Sequence, residues 1–162
     1  MLSFGEAVRQ FYGNYANADG RAQRSAYWWV QLYQLIIALV LIIVILMSEN
    51  GIEFFSAILD LITAGEFLFD WSDLGGSGQA ACFLMVIFGL VNFIPNIMLS
   101  IRRFHDLGQT GWLVLAFFVA GLLPFIGSIA DIGNLIWFIF PGTKGPNEYG
   151  SDPLGHDTDI FG

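Results

Sequence analysis

Long apolar runs alternate along this chain with short stretches that hold almost all of its charge. The runs cover 26–47, 79–101 and 112–140. The first, of about 22 residues, makes a helix about 33 Å long, enough for a hydrocarbon core of about 30 Å. The second is equally long, and Asn92, Pro95 and Asn96 fall in its later half. Proline there frees a carbonyl that neighbours must satisfy, and the two amides, one turn apart, are placed to bond another helix. The third run would measure about 43 Å as one straight helix. Two readings of it are open: one kinked span that carries the tail across, or two short helices, 112–123 and 128–140, joined at Pro124-Phe125-Ile126-Gly127. The pattern favours the hairpin. Ser128 and Asp131 then form a capping box, whereas in a single span Asp131 sits in hydrocarbon at about 2.5–3.5 kcal/mol.

Amphipathic segments flank these runs. In 1–20, Phe4, Val8, Phe11, Tyr12 and Tyr15 share one helical face, and Ser3 with Glu6 forms a capping box. That helix either lies in the headgroup plane or packs on the bundle by the same face. Ser25 suits the N-cap of the first span. In 48–79, Phe54, Phe55, Ile58, Leu59 and Ile62 oppose Glu53, Ser56, Asp60 and Thr63, which reads as a surface helix. Gly75-Gly76-Ser77-Gly78 reads as a flexible joint. The segment 102–111 reads as a polar loop, and 141–162 as a turn-rich tail. The expected fold is therefore an all-α integral membrane protein. It is a small helical bundle in a single domain, with four crossings favoured and one or two interfacial helices.

Composition agrees. Only 12% of the 162 residues are charged and 56% are hydrophobic, against about 25% charged in soluble domains. The net charge of −8 conceals a segregation. Arg9, Arg21, Arg24, Arg102 and Arg103 flank the spans on one side. Glu49, Glu53, Asp60, Glu66, Asp70 and Asp73 crowd one connection that holds no cation. Arginines stay in the cytoplasm, so the N-terminus and 102–111 belong inside and 48–79 outside. So acidic a chain is a poor ligand for nucleic acid. Cys82 is the sole cysteine, which excludes an intrachain disulfide.

Three segments, GRAQRSAYWW at 20–29, IRRFHDLGQTGW at 101–112 with PFIG at 124–127, and PGTKGPNEYGSDP at 141–153, resemble the bacterial inner-membrane family catalogued as domain-of-unknown-function family 805. The similarity covers nearly the whole chain. Thr110 stands where that family often has Ser, and the 48–79 connection is longer than in its short members. The resemblance implies a multi-pass helical protein of the bacterial inner membrane. It implies no activity, cofactor or catalytic residue.

A cytoplasmic tail would gather Arg21, Arg24, Arg102, Arg103, His105, Asp106, Asn147, Tyr149 and Asp152 on one face. Three roles compete for this cluster. It is a structural ion-pair cap. Or, with Trp28, Trp29 and Trp112 beside it, it binds an anionic lipid or a protein partner, which makes the chain an accessory or regulatory subunit of a complex or a homo-oligomer. Or His105 and Asp106 move protons in a small transporter. No nucleophile, second ligand histidine or phosphate loop accompanies them, so no catalytic, cofactor or metal site is expected.

Overall fold

The computed structural model describes residues 2–123 and 126–155, without the side chains at 126–128, 130 and 131. The Pro124-Phe125 joint and the Ser128–Asp131 capping box lie outside the described residues. Among the described residues there are six α-helices and no strand. They are α1 (Phe4–Gly13), α2 (Arg24–Leu46), α3 (Gly51–Ala64), α4 (Gly76–Asp106), α5 (Trp112–Gly121) and α6 (Ile126–Ile139), with one 3₁₀ turn at Trp71–Asp73.

Helices α2 and α4 are long and apolar enough to cross a membrane, with mean hydropathies of 2.6 and 2.2 over their most apolar stretches. Only 11% and 17% of those stretches are buried within the protein. The core helix of a soluble protein hides such a surface; these helices turn theirs outward.

The chain forms two compact units, one of residues 1–32 with 93–162 and one of 33–92. In the first, Phe11, Ala22, Tyr27, Val30, Leu99, Phe104 and Phe138 form the core. Helix α1 is packed into it through Ala7 and Phe11, while Phe4 and Tyr15 stay at the exposed edge. The buried face is thus centred on Ala7, whose small side chain permits close approach. The capping box forms: Ser3 Oγ accepts from the Glu6 N–H, and the Glu6 carboxylate accepts from the Ser3 N–H. Trp29 Nε1 donates to the Leu2 carbonyl at 3.0 Å. Ser25 is not an N-cap. The helix starts at Arg24, two residues before the expected Ala26, and the Ser25 hydroxyl accepts from the Leu2 N–H instead. Aromatic contacts bind α5 and α6, Phe117 to Trp137 at 6.1 Å, both against Phe104.

In the second unit the core is Ile45, Leu74 and Ala81, flanked by Phe54, Phe55 and Phe69. All six of its carboxylate side chains are exposed. Asn50 takes a left-handed conformation before α3 and donates from Nδ2 to the Asp73 carbonyl at 2.9 Å. The expected flexible glycine joint is corrected. Gly76, Ser77 and Gly78 form the first turn of α4, and Gly78 packs against Ser48 and Leu74, where a Cβ would lie 2.9 Å from Leu74 Cγ. Gly75, against Glu49, and Gly78 serve close approach. In α4, Asn92 Nδ2 donates to the Phe88 carbonyl one turn back at 2.7 Å, and the helix runs on through Pro95.

The expected 102–111 loop is also corrected. Helix α4 continues through Arg102, Arg103, His105 and Asp106. It ends in a Schellman motif: the Gln109 N–H reaches the Phe104 carbonyl, the Gly108 N–H reaches that of His105, and Gly108 has φ +69°. Glycine takes that conformation without the Cβ clash. Polar residues did not stop the helix because partners distant in sequence satisfy them.

Candidate functional site

The end of α4 offers a row of polar side chains one turn wide. Residues three apart share a helix face, so Arg103 and Asp106 pair within it. The same carboxylate receives Arg21 from just before α2, Nε to Oδ1 at 3.1 Å. The side chains of Arg103, Arg21 and Asp106 are 0%, 1% and 5% exposed. Arg103 also donates to the carbonyls of Ala22, Phe138 and Phe140. Arg21 also donates to the carbonyls of Thr143 and Gly145, the latter at 2.7 Å. One carboxylate and two guanidinium groups thus clasp four segments: the start of α2, the end of α4, the end of α6 and the tail. Backbone closes the same ring. The Ala22 N–H donates to the Arg102 carbonyl at 2.9 Å, and the Thr143 N–H to the Asp106 carbonyl at 2.8 Å.

These contacts fix the path of the α5–α6 pair. Helix α5 leaves the clasp directly after the Gly108 turn, and α6 returns to it through Phe138 and Phe140. Gly142 lets the tail pass over Asp106, since a Cβ there would lie 2.6 Å from the carboxylate carbon.

His105 faces a different set. Its Nδ1 lies 3.2 Å from the Gly20 carbonyl, which can only accept, so Nδ1 carries the proton. The ring stacks on Tyr149 at 3.9 Å with planes 4° apart. Asn147 Nδ2 donates to the His105 carbonyl at 2.9 Å. Its hydrogen bond with Glu148 holds the Tyr149 phenol above its ordinary pKa. His105, Tyr149 and Thr110 close one end of an apolar groove of about 680 Å³ between α4 and α5.

Asp152, grouped with this cluster from the sequence, accepts from the N–H groups of Gly145 and Leu154, at 3.1 and 2.8 Å, and shapes the tail. Arg24 is exposed and donates to the Ile139 carbonyl at 3.3 Å. Among the described residues, the ion pairs are Arg21–Asp106 and Arg103–Asp106. Arg102, on the adjacent face of α4, joins neither. The sequence reading missed the carbonyls of Ala22, Phe138 and Phe140 as partners, as well as Thr143 and Gly142. The PGT triplet was the available signal: a glycine and a hydroxyl side by side suit a tight backbone crossing.

Both Asp106 oxygens are engaged by guanidinium groups. Among the described residues, no group of three or more His, Cys, Asp or Glu is arranged to hold a metal ion.

The family model described as Protein of unknown function (DUF805) matches residues 15–151. Inner membrane protein YhaI of Escherichia coli (strain K12) is 30% identical over 140 residues, covering 86% of this chain and 88% of that protein. Inner membrane protein YhaH of the same strain is 31% identical over 140 residues, covering 86% and 89%. No solved structure matches. The matched region begins before Arg21 and ends just after the Asn147–Gly150 bridge, so it takes in every segment that the clasp joins, and the chain belongs to the DUF805 family.

Proposed function

We propose that this chain is a multi-pass integral protein of the bacterial inner membrane, one membrane domain without catalytic activity. It would serve as an accessory or structural subunit that meets lipids and a membrane partner at its cytoplasmic face. The two apolar, outward-facing helices and the names of its relatives support the membrane placement. The buried clasp carries the rest of the proposal. Asp106 and its two arginines are buried and spent on each other and on backbone carbonyls, which is how a structural joint is built.

In this proposal α2 and α4 each cross once. They measure about 35 and 46 Å, so α4 exceeds the hydrocarbon thickness and its charged last turns lie in the interface. The flanking arginines favour a cytoplasmic position for that end and for the N-terminus. The acidic 48–79 connection is then periplasmic. Helices α5 and α6 are about 15 and 21 Å long. Four crossings, the count expected from the sequence, would need the bilayer to thin to the length of α5. A hairpin that enters and leaves from the clasp side needs no such thinning, and it is the topology we take forward.

Substituted-cysteine labelling in a Cys82→Ser background tests it. Cysteines at Glu66 and at Gly162 should react from the periplasm and the cytoplasm respectively, and one at Leu123 should be silent to a periplasmic reagent. Labelling of Gly162 from outside rejects the topology. The role is tested by Asp106→Asn: a structural clasp predicts loss of folded protein in the membrane. A normal level with a lost substrate-dependent signal would reject the non-catalytic reading.

A further inference from the structure

Arg102 and Arg103 are neighbours on one helix, yet their surroundings differ sharply. The Nε of Arg103 lacks a partner, but its two terminal nitrogens bond a carboxylate and three carbonyls. Arg102 is 7% exposed, and its buried Nε has no hydrogen-bond partner. It belongs to no ion pair among the described residues. An isolated buried charge is expensive, and native structures pair such groups or give them a ligand.

Arg102 lines a cavity of about 190 Å³ between α1 and the starts and ends of α2 and α4, together with Gln10, Phe11, Gln23, Leu99 and Pro153. The cavity has several times the roughly 30 Å³ share of one water. Gln23 Oε1, on the same cavity wall, is buried and also lacks a partner. The two orphan groups are complementary in kind. The guanidinium supplies N–H donors and a positive charge, and the amide oxygen supplies an acceptor. Arg21 also lines the cavity, but its charge is taken up by Asp106.

We infer that this cavity is a phosphate-group site. A phosphate oxygen accepts from Arg102, and a hydroxyl on or beside that phosphate donates to Gln23 Oε1. Arginine suits phosphate because its planar donors match the oxygens. A water would satisfy the amide but would leave the charge unbalanced. The same chemistry comes from free phosphate or from a lipid headgroup with a neighbouring hydroxyl, such as phosphatidylglycerol. The inference deepens the lipid-contact part of the proposed function and rests on it for the lipid source alone.

Thermal unfolding of the delipidated full chain in detergent micelles tests it, with three additions. These are sodium phosphate against sodium chloride at equal ionic strength, phosphatidylglycerol, and phosphatidylcholine, which lacks the hydroxyl. Wild type should gain Tm with phosphatidylglycerol, with phosphate, or with both; a gain with the lipid alone identifies the headgroup as the source. Arg102→Met keeps the stem and removes the charge. Without ligand it should unfold at or above the wild-type Tm, and its half-saturating concentration should rise about tenfold or more. Gln23→Leu should weaken the response with Arg102 intact. No gain in wild type, an equal gain in Arg102→Met, an equal response to phosphatidylcholine, or an Arg102→Met protein less stable than wild type without ligand would each overturn the site. Arg102 forms no ion pair with Asp106, so failure here leaves the Asp106→Asn test of the clasp standing.

Discussion

Asp106→Asn is the most informative single change. It keeps the size of the side chain and one acceptor oxygen but removes the charge that two guanidinium groups share. Neither arginine can turn to water, since their side chains are 0% and 1% exposed. Removing one partner of a buried ion pair costs about 3–5 kcal/mol, and the new amide N–H₂ must face one of the arginines. We therefore expect a loss of about 3–5 kcal/mol, a large part of a typical total of about 5–15. Unfolding with dodecyl sulfate in mixed micelles, followed by fluorescence of the 5 tryptophans, measures it. The decisive comparison is a double-mutant cycle with Arg103→Met, in which Arg21 still holds Asp106. In that background Asp106→Asn should cost about 0.5–3 kcal/mol less, because one of the charges it balances is gone. A loss below about 1 kcal/mol in the wild-type background, or equal losses in both, would refute the account of the clasp.

Gly142→Ala should destabilise by about 1–3 kcal/mol, because its Cβ would overlap the Asp106 carboxylate; Gly5→Ala, with open space around it in α1, should stabilise by about 0.5–1 kcal/mol in the same assay. Tyr149→Leu should cost about 0.5–1.5 kcal/mol through the lost stack on His105, while Tyr149→Phe keeps the stack and should stay close to wild type. The two hydrogen bonds from Ser3 lower the Glu6 pKa below its ordinary 4.5. A depressed carboxylate stabilises the fold fully above that ordinary value and stops doing so as pH falls through the lowered one. Docking of α1, followed through Trp29 fluorescence, should therefore loosen as pH drops below about 4.5. Ser3→Ala should flatten that dependence; an unchanged profile in Ser3→Ala would assign it to another group.

What could be read from the chain alone was local. Apolar run lengths located α2 and α4, and Ser3-x-x-Glu6 located the start of α1, because each depends on residues within a few turns of one another. The segregation of arginines from carboxylates likewise needs no fold to be seen, and it suggested which segments share an aqueous face. Only the tertiary structure decided how that face is wired. Arg21 and Asp106 are 85 residues apart, and nothing in either's neighbourhood states that they meet, or that Arg103 finds a carboxylate and three carbonyls while Arg102 beside it joins no ion pair. The partners that distinguish those two arginines are mostly backbone carbonyls, which every residue carries and no sequence pattern marks. For the same reason α4 outran its expected end: whether a buried polar side chain breaks a helix or extends it depends on which distant donors and acceptors arrive to satisfy it.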